Sequence, residues 1–207
     1  MVFVHGLWMT GIDMLLLRRR LRRCGFAVRQ FSYPSMRADV KANAERLQRF
    51  ICSLDADTIH LVGHSLGGLV IRQFLDDSYG IEMRQQVGRI VTLGAPHNGS
   101  IVARQLATIP ILRYLLGRSF DHGLDGELPP WNSAYELGVI AGTMNVGVGR
   151  LVPALSGESD GTVALAETRL EAMADHITVP ASHTAMLFST AVARQVCAFL
   201  HNGRFEH

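Results

Sequence analysis

The stretch from Thr58 to Asp77 constrains the fold of this chain more than any other. An apolar run, Thr58 to Val62, leads into Gly63-His64-Ser65-Leu66-Gly67-Gly68, and a helical pattern continues to Asp77. A strand that bends into a helix over so few residues leaves no space for a Cβ beside the bend, which is why glycines flank it. The bend forces Ser65 to a positive φ at the C-terminal edge of a sheet. The dipole and free N–H groups of the following helix then point at the same place. A serine hydroxyl becomes a useful nucleophile when it is held exposed beside a base. The plainer alternative is a glycine-rich turn with an ordinary capping serine.

Short apolar runs recur along the chain: Val2 to Val4, Phe26 to Tyr33, Arg89 to Leu93, Leu137 to Met144 and His176 to Val179. Helical patterns lie between and after them, near residues 11–23, 37–53, 66–77, 101–117 and 185–201, and Gly25 sits where a helix C-cap glycine belongs. This alternation predicts an α/β fold, a mostly parallel sheet of about six strands with helices on both faces, in one domain over residues 1–207. Two stretches break the rhythm, 98–136 and the glycine-rich connection 145–161. Both follow strands, where α/β sheets carry their binding loops.

Hydrophobic residues make up 48% and charged residues 18%, which argues against intrinsic disorder. A net charge of +2 makes no case for a nucleic-acid partner. No apolar run approaches the ~18 residues of a membrane span, so stable membrane insertion is not expected. Without a basic leader, a soluble cytoplasmic protein is the default expectation. Cys24, Cys52 and Cys197 are widely spaced and odd in number, which predicts three reduced, mostly buried thiols. No cluster with metal-ligand spacing occurs, and neither metal nor cofactor is expected. The run Arg18 to Arg23, broken only by Leu21, reads as an anionic-lipid or nucleic-acid patch, or as the solvated face of a helix that buries Ile12, Leu15 and Leu16.

Three further segments carry chemistry. His5-Gly6-Leu7-Trp8 follows the first strand, where acyl transfer draws one of its two oxyanion N–H donors. The N–H groups of Leu7 and Leu66 are the candidates, with His5 either orienting the loop or carrying a proton. Glu158-Ser159-Asp160-Gly161-Thr162 offers an acid on a tight turn. Asp160 is preferred over Glu158, and over Asp121 and Asp125, which lie before the fifth strand. His183, between the last strand and the last helix, is the base candidate, since His176 lies in a strand and His201 at a helix end.

These segments resemble bacterial lipase-like α/β-hydrolases over nearly the whole chain. The likeness rests on Val4-His5-Gly6-Leu7-Trp8, Gly63 to Gly68, Leu93-Gly94-Ala95-Pro96-His97-Asn98-Gly99-Ser100, Ser159 to Val163 and Ser182-His183-Thr184. The resemblance implies the α/β-hydrolase fold and a Ser65–Asp160–His183 triad cleaving carboxylic esters, with a structural role for His97. It leaves open a thioesterase, an amidase, an acyltransferase, or a degenerate hydrolase that only binds a ligand. Two departures limit it. The first strand already bears the oxyanion loop, so the usual first two strands are expected to be absent. The larger bacterial lipases place a calcium-binding acid two residues after the histidine, where this chain has Ala185, so no calcium site is implied.

The expected substrate is a small-molecule ester, lipids included. Trp8, Met9, Ile111, Leu112 and Leu115 are expected to line its pocket, with Ile109 to Leu116 read alternatively as a plain buried helix. Residues 98–136 are expected to form a small cap or lid, with a helix kinked at Pro110 and a surface loop from Gly117 to Trp131. Such a partial cover suits short- to medium-chain esters and predicts no rate gain at a lipid interface.

Overall fold

The computed structural model of the protein describes residues 1–77, 85–131, 134–147, 149, 152, 155 and 157–207. Six strands form one sheet: β1 (Val2–Val4), β2 (Arg29–Phe31), β3 (Thr58–His64), β4 (Gln86–Leu93), β5 (Leu137–Gly142) and β6 (Asp175–Val179). Their spatial order is β2-β1-β3-β4-β5-β6, with every pairing parallel. The helices are α1 (Leu15–Arg22), α2 (Val40–Cys52), α3 (Leu66–Asp77), α4 (Ile101–Ala107), α5 (Pro110–Leu116) and α6 (Thr190–Asn202).

The strand order places the site. From β1 the chain steps outward to β2, then returns past β1 to β3 and continues the other way. Right-handed crossovers in opposite directions put their helices on opposite faces. Accordingly α2 and α3 pack with Val2, Val4 and Leu61, whereas α1 and α6 pack with Phe3, Val62 and Val91. The reversal opens a crevice at the C-terminal ends of β1 and β3, where an α/β sheet binds ligands. The Gly6 loop and Ser65 lie there.

Three expectations need correction. Helix α1 and the turn before it bury Met14, Leu17 and Leu21, while Ile12, Leu15 and Leu16 stand exposed. The entry to α1 is apolar on all sides, so periodicity alone could not choose its inner face. Residues 117–131 do not form a plain surface loop. Ser119, Leu124 and Trp131 are buried, and Ser119 Oγ donates to the carbonyls of Ser35 and Ala38. The break at Thr108–Ile109 between α4 and α5 falls where Pro110 predicts it.

The third correction concerns the cysteines. Cys24 follows α1, Cys197 lies in α6, and the two form a disulfide with Cα atoms 6.3 Å apart; only Cys52 is free, and it is exposed. These helices pack side by side on one face of the sheet, which brings together residues 173 apart in sequence. The bridge stands against the expected cytoplasmic location, since disulfides persist mainly in oxidising compartments. Cross-linking so long a loop restricts the unfolded chain and typically stabilises by about 2–4 kcal/mol. Dithiothreitol, or Cys24→Ser with Cys197→Ser, should therefore lower Tm by about 5–15 °C in a calorimetric scan. An unchanged Tm would show that the bridge contributes nothing.

Among the described residues no helix is long and apolar enough to cross a membrane.

Candidate active site

Ser65 sits between β3 and α3 with φ of 52°, a conformation costly for any residue with a Cβ. Its N–H donates to the Leu93 carbonyl at 2.9 Å and its carbonyl accepts from Gly68 N–H at 2.9 Å, so both sides of the bend are pinned. A Cβ at Gly67 would lie 2.1 Å from the Val4 carbonyl oxygen. Only glycine lets α3 start this close to β1.

Asp160 and His183 lie on the connections that follow β5 and β6. Asp160 Oδ1 accepts the N–H groups of Thr162 and Val163 at 2.9 and 2.8 Å, and Oδ2 meets His183 Nδ1 at 2.6 Å. The His183 N–H also donates to the Asp160 carbonyl at 2.9 Å. Both side chains are nearly buried. With Oδ1 committed to two backbone donors, Oδ2 is left for the ring, which makes Nδ1 the proton-bearing nitrogen and leaves Nε2 free to accept. Sequence reasoning missed Gly94, at φ of 55°, where a Cβ would stand 2.8 Å from Asp160 Oδ2 and 3.0 Å from His183 Nδ1. The cue was the Leu93-Gly94-Ala95-Pro96 turn.

Ser65 and His183 line one cavity of about 300 Å³. Among the described residues no hydrogen bond joins Ser65 Oγ to the ring, a looseness common in unliganded sites. Leu7, Trp8 and Met9 form one wall. Trp8 occupies the left-handed region, with φ of 61°. Met9 N–H bonds back to the Gly6 carbonyl at 3.4 Å, a turn that leaves Leu7 N–H without a hydrogen bond among the described residues. Leu66 N–H is likewise unbonded there.

His5 holds this loop. Tyr33 N–H donates to its Nε2 at 3.2 Å, its Nδ1 donates to the Gly6 carbonyl at 2.9 Å, and the Tyr33 ring stacks on it. Burial lowers its pKa. A neutral ring with both nitrogens engaged is a scaffold.

The opposite walls come from Val102, Ala103, Leu106, Leu116 and Leu124, and from Val146, Thr162 and Val163. Trp8 and Met9 thus line the cavity, whereas Ile111, Leu112 and Leu115 do not. Ile111 is 70% and Leu115 42% exposed; α5 turns Leu116 inward instead. Glu167, absent from the sequence expectations, ties the start of α4 to the Asp160 turn by accepting from Ile101 N–H at 2.5 Å and Ala164 N–H at 2.8 Å. Burial raises its pKa. Among the described residues no three His, Cys, Asp or Glu side chains are placed to hold a metal.

Two histidines are locked in the interior. His64 Nε2 donates to the His183 carbonyl at 3.1 Å, and its ring lies 4.6 Å from that of His183. Burial pushes its pKa down to about 3, with His183 adding to the effect. A neutral His64 adds no positive charge beside the His183 ring. Burial also pushes His97 down to about 3, followed by the charge of Arg72, whose guanidinium donates to the His97 carbonyl at 2.7 Å.

Both pKa values fall below that of an unfolded histidine, about 6.5. The stability tied to them is complete above pH ~6.5 and is lost as pH falls toward about 3, because only the unfolded chain then binds the protons. Each contributes a slope that rises to about 1.4 kcal/mol per pH unit below pH ~6.5, so the pair should remove about 3 kcal/mol between pH 6.5 and 5. Urea unfolding across that range checks it; a flat midpoint would show that neither ring is held neutral.

No curated protein matches the sequence. Solved structures match the fold. The mature lipase BlEst2 of Bacillus licheniformis is 21% identical with a TM-score of 0.77, covering 98% of this chain and 90% of its own. A monoacylglycerol lipase of Paleococcus ferrophilus is 14% identical with a TM-score of 0.64 and coverage of 98% and 93%. The metagenomic carboxyl esterase MGS0156 is 18% identical with a TM-score of 0.64 and coverage of 89% and 64%. The sequence model that matches takes in residues 1–201, from the strand bearing the Gly6 loop into the last helix, and it is that of the alpha/beta hydrolase family, to which this chain belongs.

Proposed function

We propose that the protein is a serine hydrolase that cleaves carboxylic esters through an acyl-enzyme on Ser65. The observation that carries this reading is the Asp160–His183 pair, closed at 2.6 Å and sharing one cavity with the strained Ser65. His183 Nε2 takes the Ser65 proton as Oγ attacks the ester carbonyl. Asp160 stabilises the charged ring, and the N–H groups of Leu7 and Leu66 hold the oxyanion. His183 then protonates the leaving alcohol, and a water activated by the same ring releases the acid.

The names of the structural neighbours, a lipase, a monoacylglycerol lipase and a carboxyl esterase, agree with ester chemistry and bring it to this chain as a proposal. A mostly apolar cavity of about 300 Å³ is at the small end for ligand sites, which suits short to medium acyl chains. The test is a panel of nitrophenyl esters of rising chain length, with the thioester and amide of one acyl group and a fluorophosphonate probe. The reading requires labelling at Ser65 and esters as the best substrates. Turnover of thioester above ester would reassign the chemistry, and an unlabelled Ser65 would leave only a binding protein.

A further inference from the structure

Among the described residues, every large apolar side chain that stands exposed lies on a segment leaving the C-terminal end of a strand. After β1 come Trp8, Ile12, Leu15 and Leu16, with Ile12 75% exposed. On α5 stand Ile111 and Tyr114, 70% and 79% exposed. Met144 and Val146 follow β5, and Phe188 follows β6. Trp8 and Val146 also line the cavity, so this apolar crest is continuous with the cavity mouth. Its parts are tied together: Trp8 Nε1–H donates to the Leu115 carbonyl at 2.8 Å, and Arg20 to the Phe188 carbonyl at 2.5 Å.

The crest has no internal structural task, because α1 and the turn before it already bury Met14, Leu17 and Leu21. Isolated exposed apolar residues need no explanation; a set gathered on one edge of the sheet, around a cavity, marks an interaction surface. Charge selects the partner. Beyond Ile12, Leu15 and Leu16 the same helix and its cap expose Arg19, Arg22 and Arg23, and beside α5 Arg37 and Arg118 are exposed. Projecting apolar side chains bracketed by arginines fit a lipid boundary beneath anionic headgroups. A second copy of the chain fits poorly, because a two-fold contact centred on α1 would set arginines against arginines.

We propose that this edge docks on an anionic phospholipid surface. Ile12, Leu16, Ile111 and Tyr114 enter the headgroup–acyl boundary while Arg19, Arg22 and Arg23 meet headgroup phosphates, and the cavity mouth faces the lipid. The inference concerns binding and stands apart from the chemistry at Ser65. The sequence-based expectation of no rate gain at a lipid interface rested on the partial cover by residues 98–136 and concerns turnover, not this binding.

Flotation with phosphatidylglycerol–phosphatidylcholine vesicles, against pure phosphatidylcholine, tests it. The oxidised full chain should float with the anionic vesicles and bind them at least about tenfold more tightly than neutral ones, with the preference fading as salt rises. Arg19→Gln with Arg22→Gln and Arg23→Gln should abolish the preference. Ile12→Asn with Leu16→Asn should weaken binding about tenfold or more while turnover of a soluble ester is unchanged, because neither residue touches the cavity. Ser65→Ala should float like the parent, so a failure of the hydrolase reading leaves this result intact. No flotation at millimolar anionic lipid, or equal flotation of the Asn pair, would overturn the proposal. So would self-association that the same substitutions abolish, without vesicle binding, since the crest would then be an interface between copies.

Discussion

Ser65→Ala should lower kcat/KM for the best ester by about a million-fold and abolish fluorophosphonate labelling, with little change in Tm. The scale follows from removing the nucleophile of a unit that acts together, which leaves only binding and oxyanion donors to assist water, a residual ~10³–10⁴ over the uncatalysed rate. Stability should hold because the Ser65 side chain makes no hydrogen bond among the described residues. Alanine also keeps the Cβ that the φ of 52° already accommodates. Because the residues act as a unit, His183→Ala and the double variant should sit near the same floor rather than multiply. Single-turnover assays at matched protein concentration make the comparison. A Ser65→Ala protein retaining a tenth of the activity would place the chemistry elsewhere.

Most of the site was legible in the sequence because its geometry is local. Gly63 to Gly68 mark a bend whose glycines allow close approach, Gly63 to Gly68 across the bend and Gly67 to Val4 of the neighbouring strand, and the bend fixes where Ser65 must stand. Asp160 and His183 each belong to a short turn after a strand, so parallel topology alone brings them to the same edge. What could not be read depended on rotation or on distance. Helix α1 begins with apolar residues on every side, and only the packing of Met14, Leu17 and Leu21 against α6 and β1 decides that Ile12, Leu15 and Leu16 face out. The same ambiguity hid Leu106 and, along α5, could not separate Leu116 from Ile111, Leu112 and Leu115. The Cys24–Cys197 bridge spans 173 residues and leaves no local trace. Glu167 carries no motif, since its task of joining α4 to the acid turn exists only once both are folded.

Asp160→Asn should lower kcat by about ten-thousand-fold with KM little changed, and the cause is the proton inventory of the turn. Asp160 Oδ1 accepts two backbone N–H groups, at 2.9 and 2.8 Å. An asparagine must keep its carbonyl oxygen there, because turning its NH₂ toward those donors would strand buried groups at about 1–3 kcal/mol each. The NH₂ is thereby aimed at His183 Nδ1, which must become an acceptor. The ring proton then moves to Nε2, the atom that has to receive the Ser65 proton. Ground-state binding uses the cavity walls and is untouched, so the loss falls on kcat. Ring-nitrogen NMR of His183 should show the Nδ1-protonated form in the parent and the Nε2-protonated form in the variant. A variant within tenfold of the parent would remove the acid role from Asp160. A large loss without the tautomer switch would mean that Asp160 acts by its charge alone.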